Sequence, residues 1–159
     1  MAWVSRRMVA IVAPIAATLA LAACGGGTDA EDKTAYARAV NDAQTKFAST
    51  VTTVSQEVGP RSSVTAQRRT LRQFETAIDD VVGDLREIDP PSEVEGEHER
   101  LIDVMRDFGD DIEQANEAMS NPTPRALEAA KRRVAAATQS VNARVSAAIA
   151  AINTKLGEA

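Results

Sequence analysis

Histidine occurs once in this 159-residue chain, at His98, and cysteine once, at Cys24. His98 closes the run Glu95-Gly96-Glu97-His98. On a helix, the i and i+3 spacing of Glu-x-x-His points a carboxylate and an imidazole the same way, as a metal-holding bundle requires. Such a centre also needs a second pair and inward carboxylates on the other helices. The sequence supplies neither, so a hydrogen bond from His98 to Tyr36 or Asn153 is the expected role. Asp110, Asp111 and Glu113 cluster, but without the alternate spacing of a calcium loop. No glycine-rich phosphate loop and no Gly-x-Ser-x-Gly turn is present. A single cysteine cannot form an internal disulfide or a multi-cysteine metal site. The expectation is a protein that is not an enzyme and carries no cofactor.

Composition narrows the classes further. Hydrophobic residues make up 44% and charged residues 26%, enough of each for a folded chain. Aromatics are 3%, too few for a ring-lined pocket or a base-stacking platform. A net charge of −5 argues against nucleic acid as a partner. Arginine outnumbers lysine, which appears only at positions 33, 46, 131 and 155, and alanine is abundant. That usage is what a GC-rich genome writes.

The first 24 residues read as a targeting segment. Arg6 and Arg7 give a positive start, Met8 to Ala20 is apolar, and Leu21-Ala22-Ala23-Cys24 leads into three glycines. This resembles the lipobox signal of bacterial lipoproteins: aliphatic at −3, small at −2 and −1, Cys at +1. The resemblance implies cleavage after Ala23, so that 1–23 is a signal peptide and 24–27 a lipidated cysteine with a glycine linker. It also implies a thioether-linked diacylglycerol on Cys24, and two acyl chains hold a protein on a bilayer where one is marginal. The expected address is the outer face of the cell membrane. Ser5-Arg6-Arg7-Met8-Val9 also partly resembles a twin-arginine signal, from which Ala10 departs; the general secretory route is the expectation. The remainder is similar in style to small, Ala-rich helical lipoproteins of high-GC Gram-positive bacteria.

Positioning in residues 28–159 falls to helices. Thr28-Asp29-Ala30-Glu31 and Ser92-Glu93-Val94-Glu95 have the form of capping boxes. Ser63 and Thr123, the latter followed by Pro124, are N-cap candidates. Gly59-Pro60, Pro90-Pro91, Asn121-Pro122 and Gly157 punctuate. Helices are expected over about 28–58, 63–89, 93–121 and 124–156. Apolar steps alternate three and four: Tyr36, Val40, Ala43, Phe47 and Val54; Leu71, Phe74, Ile78, Val81, Leu85 and Ile88; and Val94, His98, Leu101, Met105, Phe108, Ile112, Ala115 and Met119. In the fourth segment Val141, Val145 and Ala148 break the rhythm, a stutter in a coiled-coil-like seam. Short connections make neighbours antiparallel. The expected fold is all-α, an up-down-up-down antiparallel four-helix bundle behind a cleaved signal peptide. Gly83 and Gly109, interior to helices, imply close helix approach or a kink.

That topology separates charge. Acids gather at the Pro90-Pro91 turn, at the end nearest the anchor. Arg61, Arg68, Arg69, Arg72, Arg125, Lys131, Arg132 and Arg133 gather at the far end. Repulsion from anionic lipid and solvated faces explains much of this pattern; a sharper reading is a basic tip that docks an anionic envelope partner. Two functional classes follow. One is a membrane-anchored structural or protein- or polymer-interaction lipoprotein. The other is an envelope lipoprotein holding a small apolar ligand or metal within the bundle.

Overall fold

The structure, a computed structural model, describes residues 28–56 and 63–157. Four helices follow in order: α1 (Thr28–Gln56), α2 (Val64–Arg86), α3 (Glu95–Ala118) and α4 (Pro124–Gly157). No strand occurs among the described residues. Consecutive helices pack side by side, α3 against both α2 and α4, and α1 against α2. The architecture is the expected all-α four-helix bundle. Cross-helix contacts place the start of α1, the end of α2, the start of α3 and the end of α4 at one end. Lys33 Nζ meets Glu93 at 2.9 Å, Tyr36 meets His98, and Lys155 Nζ meets Glu97 at 2.7 Å.

Local chemistry sets the helix ends. Ser63 Oγ accepts from the Ala66 N–H at 3.2 Å, and Thr123 Oγ1 from the Ala126 N–H at 3.1 Å, so both expected N-caps form. The expected capping box at Ser92–Glu95 does not. Residues 92–94 form a turn, Val94 stands at the N-cap with no side-chain cap, and the Glu93 carboxylate goes to Lys33. α2 stops at Arg86, short of the expected Asp89, in a tightened last turn where the Ile88 N–H donates to the Leu85 carbonyl three residues back at 3.2 Å. Thr28's side chain and Gly59-Pro60 lie outside the described residues.

The core is a stack of aliphatic side chains in which Val40, Val94, Ile149 and Ile152 have no exposed area. α3 buries both Leu101 and Ile102, and both Val104 and Met105. A helix flanked by two neighbours must bury a wider stripe than a two-helix seam. The break in α4 is present: buried positions run Ala137, Val141, Val145, then Ala148 with Ile149, then Ile152.

The two interior glycines differ. A Cβ on Gly109 would sit 3.3 Å from Ile78 Cγ2, so α2 and α3 approach closely there. A Cβ on Gly83 meets nothing within 4 Å, and the expected close contact at Gly83 is absent. Gly83→Ala is therefore expected to stabilise by about 0.5–1 kcal/mol through helix propensity and reduced unfolded-state entropy. Gly109→Ala gains less or nothing, because Ile78 must shift. Parallel urea titrations of the two variants check the contrast.

Candidate functional site

His98 is one of the few polar side chains buried among the described residues. It is buried one turn into α3, and both ring nitrogens are engaged. Nε2 lies 2.9 Å from the Leu85 carbonyl oxygen. A carbonyl only accepts, so Nε2 carries the proton and donates. In the neutral ring Nδ1 then accepts the Tyr36 O–H at 3.2 Å. The two rings meet edge-on, centroids 5.7 Å apart. Leu85 lies in the last turn of α2, where its carbonyl also accepts the Ile88 N–H at 3.2 Å, and through it and Tyr36 the His98 ring pins α1, α2 and α3 together. Glu95, its partner in the Glu-x-x-His run, is exposed at the first residue of α3. The pair does not converge. Among the described residues no group of three His, Cys, Asp or Glu side chains could hold a metal ion.

Burial, and then the charge of Glu97, raise the Tyr36 hydroxyl to about 12. A raised value means the fold prefers the neutral phenol. The stability it contributes is complete below pH ~10, the unfolded value, and is lost as pH rises toward 12. Tyr36 is the sole tyrosine, so absorbance at 295 nm reads it directly. The expected midpoint lies well above 10 in the folded chain and returns to the ordinary phenol value in urea. At acid pH the same end loosens for another reason. Lys33 holds Glu93, and Lys155 holds Glu97, below the usual carboxylate range, so those pairs contribute at neutral pH and fade as it falls.

Cys24 and Arg61 lie outside the described residues. The other predicted basic residues sit on α2 and α4, on two flanks of α3. Arg68 Nε donates at 3.4 Å to Asn116 Oδ1, and Asn116 Nδ2 donates at 3.1 Å to Glu75 Oε1, a half-buried polar crossing between α2 and α3. Arg133 Nη1 binds Asp111 at 3.2 Å and Gln114 at 2.7 Å. Arg68 and Arg133 thus grip the same stretch of α3 from either side. Lys131 pairs with Glu128 at 3.0 Å. Arg69, Arg72, Arg125 and Arg132 are exposed and have no ion-pair partner among the described residues.

Acids that the end-to-end charge reading overlooked are interleaved here. Asp111 and Glu117 stand on the last turns of α3, beside the first turns of α4, while Glu113 faces the α2 side. Their sequence signal is the short connection at residues 119–123: an antiparallel partner lays residues just before a turn beside those just after it. Two open clefts flank α3. One, about 310 Å³, lies against α2 and is lined by Ile78, Val82, Arg86, Arg106 and Gly109 among others. The second, about 720 Å³, lies against α4. Its floor is alanine, and its walls carry opposite charge.

No protein-family model, no curated protein and no solved structure matches this chain.

Proposed function

We propose that this chain is a cell-envelope lipoprotein: Cys24, lipidated after cleavage behind Ala23, tethers a rigid helical post to the outer face of the membrane. The observation that carries the reading is Leu21-Ala22-Ala23-Cys24, set behind Arg6-Arg7 and an apolar run, and followed within four residues by the first helix. Among the described residues no helix is long and apolar enough to cross a membrane. Attachment in this reading belongs to the segment before Thr28.

The role is structural or one of interaction. At 1.5 Å per residue α4 is about 51 Å long, enough to hold its first turn well clear of lipid. The cations that face solvent there, Arg69, Arg72 and Arg125, suit an anionic envelope polymer or acidic protein surface. Reversing all three to glutamate tests this half of the reading. Cell-wall retention and pulldown yield should fall while the circular dichroism spectrum holds; unchanged retention and yield refute the docking role.

A further inference from the structure

The cleft between α3 and α4 is built to meet its own copy. Its floor is Ala118, Ala129, Ala130, Ala136 and Ala137. One wall, from α3, carries Asp111 and Glu117; the other, from α4, carries Arg132 and Arg133. Arg133 is spent within the chain on Asp111 and Gln114. Arg132 and Glu117 have no ion-pair partner among the described residues and stand exposed on opposite walls. The floor continues along the same flank of α4 through exposed Ser140, Ala143, Ala147 and Ala150, at steps of three and four. Small side chains along such a line let a second helix pair approach closely.

We propose that two copies of this chain pair face to face across the α3–α4 cleft, parallel, with Arg132 of each copy against Glu117 of the other. The charge pattern selects the arrangement. A twofold axis along the bundle lays each copy's α3 wall against its mate's α4 wall at the same height, acid to base. The antiparallel alternative lays α3 on α3 and α4 on α4, like on like, which costs rather than gains. The inference rests on the anchoring reading in one respect. Tethers at the same end of every copy hold the chains upright in one plane, the orientation the parallel pairing needs, and raise their effective concentration.

The test is cross-linking of the full-length chain in native membranes. Cysteine is placed at the cleft floor (Ala136→Cys) or, as a control, on the solvent face of α2 (Thr76→Cys). A thiol oxidant should give a disulfide dimer at 136 and little at 76. Adding Arg132→Glu to Ala136→Cys should cut the dimer about fivefold, and adding Glu117→Arg to both should restore it. Both charged residues are exposed, so these changes leave the fold intact. Equal yields at 136 and 76, no dimer at 136, or indifference to the charge swap each overturn the pairing. Dimer in the unsubstituted chain would instead report a free Cys24 thiol; that outcome defeats the anchoring reading, and the charge swap still judges the cleft.

Discussion

An Ile152→Ala chain unfolds far below its parent. Ile152 has no exposed area, and it sits in the half of α4 where the large side chains of that helix collect, with Ile149 and Leu156 nearby in sequence. Elsewhere α4 meets the core mainly through alanine and valine. The packing therefore has few large side chains to spare. Truncation removes the transfer free energy of the lost carbons and leaves a void that a close-packed core fills only in part. The expected cost is about 2–5 kcal/mol, out of a total stability on the order of 5–15 kcal/mol for a domain. Thermal melts followed by circular dichroism should show a fall of roughly 10–20 °C. Val134→Ala, at a half-buried position on the same helix, should cost less than half as much. Equal effects at the two sites would mean that the end of α4 is not packed as described.

The second large effect is one of location. Cys24→Ser removes the only thiol in the chain, hence the only atom able to take a thioether-linked diacylglycerol. The variant should keep its leader uncleaved or be released, lose acyl label, and shift in salt- and detergent-partition assays from a tightly held to a loosely held form. The bundle itself begins at Thr28 and should fold unchanged. A variant bound as firmly as the parent contradicts lipid anchoring through Cys24.

Much of the bundle was legible because helices announce themselves in one dimension. Ser63 and Thr123-Pro124 mark their starts by side-chain chemistry that needs no tertiary partner, and the apolar spacing marks the faces. The His98–Tyr36 bond was legible for a related reason: antiparallel topology with short turns puts the starts of α1 and α3 in one layer, and a lone buried imidazole needs a partner. What failed involved register or breadth. The box at Ser92–Glu95 does not form because residues 92–94 make a turn that puts Val94, not Ser92, at the N-cap, a shift that only the folded connection shows. Ile102, Val104, Val82, Ile149 and Leu156 fall outside a single seam, yet all are buried, because the described helices bury more than one row of side chains. Gly83 was read as a close approach or a kink, and the space beside it is open. The distal charges illustrate a further limit. Counting bases by end found Arg132 and Arg133, but the acids beside them belong to the preceding helix, and only the folded pairing of α3 with α4 shows that they share a cleft.

Anchoring at Cys24 is tested most directly by the mass of the protein extracted from membranes. The account predicts a chain lacking residues 1–23, whose N-terminal tryptic peptide, Cys24 to Lys33, carries a diacylglyceryl group. An intact chain of 16.9 kDa beginning at Met1, or a Cys24–Lys33 peptide with a free thiol, would contradict it.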